Sequence, residues 1–426
     1  MTSPRVPQPP VSLRQFILKV HSRCNLDCDY CYVYHSADTS WQAKPRMMDL
    51  AVARQVVRRI AEHAVAHRLP DVRVVLHGGE PLLLGAGRLG ELLGVFERGL
   101  AEAEVPVRFS LQTNGVLLTP DILDVLRRHQ VGVSVSLDGT RAGHDRHRRF
   151  PGGRGSHGRV RKGRGSHGRV MEGLARLAAP EYRHLYAGLL CTIDLANDPV
   201  ETYEALLASR PARIDLLLPH GTWETPPPGL ADRRRRIPAV PPSADRDATA
   251  PTGEHPYADW LRRVFDRWYD APVRETGIRL FEELMAGVLG GSMRTESVGL
   301  APATLAVIET DGSNEQSDSL KVAYEGAPET GLDVFRHSFD DVLGDPLIRQ
   351  RQSGADGLGP TCGRCPLVAV CGGGLFAHRY APGSGFRNPS VYCADLAALI
   401  LHIRARVRAD LAGTPPGLPE LDVRGT

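Results

Sequence analysis

From residue 15 to about 218, short apolar and β-branched runs alternate with longer stretches in which apolar residues recur every three to four positions. QFILKV at 15–20, VRVVL at 72–76, PVRFSLQ at 106–112, GVSVSL at 132–137, YAGLLCTI at 186–193 and RIDLLL at 213–218 predict strands. Helices are predicted near 48–66, 88–103, 120–129, 168–177 and 199–208. This alternation points to an α/β class with a parallel sheet. Six strands fall two short of a closed eight-stranded barrel, so the expected architecture is an open, partial (βα)6 barrel with its chemistry at the carboxyl ends of the strands.

Beyond the barrel, assigned to 1–222, the pattern stops. Residues 223–256 are rich in proline and charge and poor in aliphatics, which predicts a linker without a core of its own. Two helix-like segments, 257–270 and 278–290, fall in a bridging unit at 257–304. A small Gly- and Cys-rich domain at 305–426 then closes with a helix near 394–411.

With 426 residues the chain has room for two to three domains and needs no disulfide staples. A net charge of +3 names no partner. Between 141 and 170, however, ten basic residues face one acidic residue, around an octapeptide, GRGSHGRV, that occurs at 153–160 and again at 163–170. A duplication that lengthens a surface loop and a cationic loop that steers an acidic ligand both fit. Nucleic acid is disfavoured, because the repeats lack the interleaved aromatics on which single strands stack. No run of 18 apolar residues and no signal-peptide core occur, so the expected setting is cytoplasmic, with no membrane partner.

The eight cysteines carry the chemistry. Cys24, Cys28 and Cys31 form CxxxCxYC directly after the first strand; Cys362, Cys365 and Cys371 lie within ten residues, Cys393 follows 22 later, and Cys191 stands alone in strand five as a core residue. In a reducing compartment such groups indicate metal ligands. Three thiolates on one loop can hold three irons of a [4Fe-4S] cluster and leave the fourth open to S-adenosylmethionine. The competing reading is a zinc site completed by His21 or His35. The four C-terminal thiolates make a complete shell for zinc or for an iron-sulfur cluster, and spacing alone does not choose.

The triad, followed by HGGEP at 77–81, LQTNG at 111–115, SVSLDG at 134–139 and HDRHR at 144–148, resembles the radical S-adenosylmethionine (SAM) superfamily. That resemblance implies a triad cluster with SAM on it. It implies cofactor contacts from Tyr30, Gly78, Gly79, Glu80, Asn114, Ser136, Asp138, Arg148 and Leu218. Arg148 would pair with the methionyl carboxylate; its alternative is a solvated arginine, and that of Leu218 is an ordinary core leucine. CGRCPLVAVCGGG at 362–374 resembles the SPASM extension and favours one auxiliary [4Fe-4S] cluster on Cys362, Cys365, Cys371 and Cys393. A two-cluster SPASM domain would need a further cysteine where Leu375 stands and two more around AVIETDGSNEQSD, where there are none.

FILKVHSRCNLDCDYCYVYHSAD, LLCTIDLANDPV, DLLLPHGTWETPPPG and CGGGLFAHRYAPGSGFRNPSVYC are similar to FxsB-type peptide maturases. That similarity implies a ribosomally made precursor peptide as substrate, a cyclophane bond between a β-carbon and an aromatic ring, and an external one-electron reductant such as flavodoxin or ferredoxin. Peptide oxidation or thioether formation is the alternative. His220 and Glu309 are the candidate bases, and neither has a spacing that demands catalysis.

Overall fold

A computed structural model describes residues 10–152, 163–241 and 254–413. Strands β1 (Gln15–His21), β2 (Val72–Gly78), β3 (Val107–Thr113), β4 (Gly132–Ser136), β5 (Tyr186–Thr192) and β6 (Arg213–Leu217) lie side by side in chain order, all parallel. Their residues are largely buried, as in a sheet covered by crossover helices. The helices are α1 (Leu50–Ala66), α2 (Gly85–Glu102), α3 (Pro120–Arg128), α4 (Arg141–His147), α5 (His167–Leu177) and α6 (Pro199–Leu207). Local chemistry starts several of them. Asp49 accepts from the Ala51 amide ahead of α1, Asp198 accepts from Val200 and Glu201 ahead of Pro199, and Thr140 accepts from Gly143 ahead of α4. Each such cap is worth about 1 kcal/mol. Periodicity missed α4 because RAGHDRH has no apolar stripe; its Thr140 cap and its packing on α5 hold it.

The sheet is larger than six strands. After α7 (Pro256–Tyr269), the two-residue β7 (Gly277–Ile278) pairs parallel to β6 and leads into α8 (Arg279–Val288). β8 (Leu305–Ile308) pairs parallel to β1 on the opposite side, and β9 (Ser313–Glu315) and β10 (Glu329–Asp333) continue antiparallel. The order is β10-β9-β8-β1-β2-β3-β4-β5-β6-β7, so the partial (βα)6 barrel sits inside a ten-stranded sheet. The boundary drawn at 305 thus cuts through a continuing sheet: LAVI is too short for periodicity to reveal, yet Ala306, Val307 and Ile308 are fully buried. The Cys-rich segment follows with α9 (Phe339–Leu343), α10 (Pro346–Gln352), α11 (Pro360–Gly363), α12 (Val368–Cys371) and α13 (Cys393–Gly413).

Residues 223–241 are not a loose tether. Trp223 is buried, and its indole N–H donates to the Pro389 carbonyl at 2.8 Å; Leu230 is buried as well. Asp395, near the start of α13, accepts from the Tyr257 and Ala258 amides at 2.9 and 3.2 Å and pairs with Arg233 at 2.5 Å. One side chain therefore joins this segment, α7 and α13. A single hydrophobic cluster runs from Leu13 through the barrel to Val407. The first octapeptide copy, 153–160, lies outside the described residues; the second leads into α5, and its Ser166 hydroxyl donates to the Arg148 carbonyl at 2.9 Å.

Candidate functional site

The triad loop leaves β1 and folds over the carboxyl ends of β2 to β4. Its clamp is HGGEP. The Gly79 amide donates to the His21 carbonyl at 2.8 Å and the Glu80 amide to the Arg23 carbonyl at 3.0 Å. Gly78 has φ +148°, and a Cβ there would sit 2.2 Å from the His21 oxygen; at Gly79 a Cβ would sit 1.8 Å from the Tyr34 hydroxyl oxygen. Both glycines are required by the approach of this loop. Glu80 is fully buried and accepts from the Thr113 hydroxyl at 2.7 Å, the Asn114 amide at 2.8 Å and the Leu82 amide at 3.0 Å. Burial outweighs these bonds and pushes its carboxyl up to about 7.

Asp138, also buried, organises the other side. Its carboxylate accepts from the Thr192 amide at 3.0 Å, from Arg148 Nε at 2.9 Å and from the Tyr30 hydroxyl. The Arg148 guanidinium lies 5.5 Å from the Tyr30 ring centroid, so the arginine is a held group rather than a solvated one. Asn114 Nδ2 donates to Asn25 Oδ1 at 2.7 Å and lies 3.7 Å from Cys24 Sγ.

These groups border one cavity of about 1000 Å³. Cys24, Cys28, Cys31, Tyr30, Gly78, Gly79, Asn114, Ser136, Arg148, Leu218 and His220 all line it, whereas Glu80, Asp138 and Glu309 do not. Glu80 and Asp138 act from behind, holding Asn114 and Arg148. Burial pushes the Cys24 and Cys28 thiols up to about 12 and raises Cys31. Thiols so desolvated ionise when a metal supplies compensating charge, so the donor set fits a cluster. The zinc alternative loses its fourth ligand, because His35 Nε2 lies 2.8 Å from Asp27 Oδ1, His21 Nδ1 lies 2.9 Å from the Arg23 carbonyl, and neither histidine borders the cavity.

Cys362, Cys365, Cys371 and Cys393 line a second void of about 330 Å³ together with Pro241, Val368 and Pro389. Burial pushes Cys371 up to about 12 and raises Cys362. The adjacent Arg379 guanidinium donates to the Gly372 and Gly374 carbonyls at 2.7 and 2.6 Å. Four thiols around one small apolar void suit a fully ligated metal centre.

Residues 18–189 match the Radical SAM superfamily. These residues carry a radical SAM domain. A cysteine-type anaerobic sulfatase-maturating enzyme of Clostridium novyi (strain NT) is 24% identical over 396 residues, 90% of this chain and 92% of that protein. Two solved structures of anSMEcpe, one with bound AdoMet and one with bound AdoMet and Cp18Cys peptide, match with TM-scores of 0.73 and 0.70. Each match covers 95% of this chain and 100% and 99% of theirs, at 19% and 18% identity. The shared fold is thus a radical SAM barrel followed by a SPASM-type Cys-rich region.

The two base candidates occupy different surroundings. His220 lines the cavity, and burial pushes its imidazole down to about 4; its Nδ1 lies 3.1 Å from His378 Nε2. Glu309 lies instead in a buried charge cluster with Lys19, Lys321, Asp38, Glu315 and Asp318, 3.8 Å from Lys321 Nζ. Sequence reasoning missed Asp318. Its Oδ2 is 2.8 Å from Lys19 Nζ and 3.8 Å from Nδ1 of the cavity-lining His77, while its Oδ1 has no hydrogen-bond partner. The Lys19 ammonium holds this carboxyl below the usual carboxylate range despite its burial. No local motif announces the cluster, since Lys19 lies on β1 and Asp318 beyond β9; the one signal was a lysine inside an apolar strand, in a chain with only four lysines. Among the described residues, no helix is long and apolar enough to cross a membrane.

Proposed function

We propose that this radical SAM enzyme modifies a ribosomally made precursor peptide, joining the β-carbon of one residue to the aromatic ring of another. The cavity carries the reading. It brings the triad thiols, Asn114 and Arg148 together with His77 and His220 around one opening, so a nucleoside cofactor and a peptide side chain can share it. When bound, SAM on a triad cluster supplies a one-electron cleavage that ends in removal of a hydrogen atom from the β-carbon, and a cluster on the C-terminal thiols supplies an electron acceptor.

The chain's own residues do the rest. Arg148, anchored by Asp138, presents a fixed positive charge to the methionyl carboxylate, and Asn114 and Ser136 offer polar contacts to the cofactor. Ring closure removes two hydrogens from the peptide, one as an atom and one as a proton with its electron. Asp318, ionised beside Lys19 and behind His77, is suited to receive the proton, with the cavity-lining His220 as a neutral base. Glu309 then acts with Lys321 in setting the charge of the cluster. The electron donor for cofactor cleavage is an external flavodoxin or ferredoxin.

A second reading, oxidation of a peptide without ring closure, is favoured by the likeness to a sulfatase-maturating enzyme along 90% of the chain. Coexpression with a candidate precursor, followed by tandem mass spectrometry, separates the two. A cyclophane and a serine-derived aldehyde each lose two hydrogens, whereas a cysteine-derived aldehyde also exchanges its sulfur for oxygen from water; of these, only the cyclophane resists fragmentation between the joined residues. An unlinked aldehyde or a thioether would overturn the cyclophane assignment.

A further inference from the structure

Four aromatic rings run in contact from one cysteine set to the other. Tyr32, the residue after Cys31, meets His220 with ring centroids 4.7 Å apart; His220 meets His378 at 5.2 Å; His378 meets Tyr392 at 5.1 Å. Tyr392 is the residue before Cys393. Each end of the series is therefore one peptide bond from a thiol of a different set. The contacts are fixed. The two imidazoles share a hydrogen bond of 3.1 Å, and the Tyr392 hydroxyl donates to the Pro219 carbonyl at 2.6 Å, tying α13 to the residue before His220.

Packing alone gives no reason for this composition. His378 is 3% exposed and Tyr392 fully buried. Apolar side chains of similar size would fill that space without the cost of desolvating two imidazoles and a hydroxyl. The chain has no cysteine in AVIETDGSNEQSD, so no thiolate-ligated cluster is held by that segment.

We infer that Tyr32, His220, His378 and Tyr392 form the electron path between the substrate cavity and the metal centre held by Cys362, Cys365, Cys371 and Cys393. This rests on the proposed function only in that the peptide loses two electrons, which holds for a cyclophane, an aldehyde or a thioether alike. After β-hydrogen removal, the peptide radical gives up one electron and one proton. The electron reduces an oxidised auxiliary [4Fe-4S] cluster by one unit, and the proton goes to the cavity base. The rings are not themselves oxidised, because a radical that gives up an electron readily does not take one from tyrosine or histidine. They provide continuous packed bonds and contacts through which the electron passes. The auxiliary cluster then returns its electron to an external acceptor of the flavodoxin or ferredoxin class.

The test uses holoenzyme with matched iron content, as wild type, His378→Leu and His378→Phe. Freeze-quenched single turnovers are examined by electron paramagnetic resonance for the reduced auxiliary cluster, and the peptide is analysed by mass spectrometry in parallel. Wild type should show the auxiliary signal rising with product. His378→Leu, which removes the ring and its contacts with His220 and Tyr392, should slow the rise of that signal, although dithionite still reduces both clusters. His378→Phe, which restores a ring without the hydrogen bond, should restore its rate. An unaltered signal in His378→Leu, or its absence in wild type during turnover, would overturn the path. Equal slowing in the Leu and Phe variants would also overturn it, by assigning the role to the imidazole hydrogen bond. A wild-type product other than a cyclophane would revise the proposed function and leave the signal comparison intact.

Discussion

The two cysteine sets differ in what surrounds them. The triad has three thiols on the wall of a cavity of about 1000 Å³, whereas the C-terminal set has four around a void of about 330 Å³. One site is short of a ligand and has room beside it; the other is complete and has none to spare. An incomplete shell next to space is where a metal centre can bind a small molecule, and a complete shell suits a centre that only exchanges electrons or braces the fold. Their supports differ in the same sense. The triad is held by polar groups from several strand ends, Glu80 and Asp138 above all, while Cys393 is carried by the buried helix α13.

The strongest way to break this contrast is to remove the triad. Cys24, Cys28 and Cys31 replaced together by Ala should lower iron from roughly eight to roughly four per chain and abolish deoxyadenosine formation. Iron and nucleoside are counted on the same anaerobic sample, and residual cleavage of SAM would place its site elsewhere.

Cys393→Ala should instead halve the iron and eliminate the cross-linked peptide while deoxyadenosine still forms. Insoluble or unfolded protein would show that closing the shell is part of folding, as for structural zinc.

A smaller, more specific effect is expected at Asp318, which stands behind the cavity-lining His77. Asp318→Asn should reduce product by about 10²- to 10⁴-fold, the usual span for a general base, with both clusters retained. The pH dependence has a defined sign. Asp318 is depressed and must be ionised to accept a proton, so product formation should stay level as pH falls through the histidine range and decline only below the ordinary carboxylate value. His220, neutral down to about 4, adds no limb near 6.5. A midpoint near 6.5 in product formation would assign the proton to another group.

Gly79→Ala tests the clamp under the triad. A Cβ placed 1.8 Å from the Tyr34 oxygen must displace that side chain and the Arg23 backbone, at a cost of about 1–3 kcal/mol. Thermal unfolding and iron retention should both fall, and an unchanged melting temperature would show that the loop moves freely. The least effect is expected from deleting 153–162, outside the described residues: cluster content should stay the same and precursor affinity should lose part of its salt dependence. A lost triad cluster would show that this stretch supports the site.

Much of the barrel was legible because parallel buried strands and amphipathic helices write their period into the chain. All six strand assignments match the structure to within a residue or two, and the cysteine groups could be read from spacing. β7, β8 and β9 were not legible: two to four residues carry no period, and β8 forms a strand between β1 on one side and β9 on the other. The described part of the predicted linker, 223–241, differs for another reason. Trp223 and Leu230 are sparse among prolines and charges, yet they pack on a surface that the C-terminal segment supplies.

The sequence by itself determined the barrel, the two cysteine sets and the cofactor class, because each depends on residues close together in the chain. Tertiary structure alone decided which polar groups face the cavity and which stand behind it: His220 lines it, whereas Glu80 and Asp138 support Asn114 and Arg148 from outside. It also decided the pairing of Lys19 with Asp318, 299 residues apart, and of His220 with His378, 158 apart. Burial and charge contacts between distant segments set these roles, and neither quantity exists until the sheet has brought the segments together.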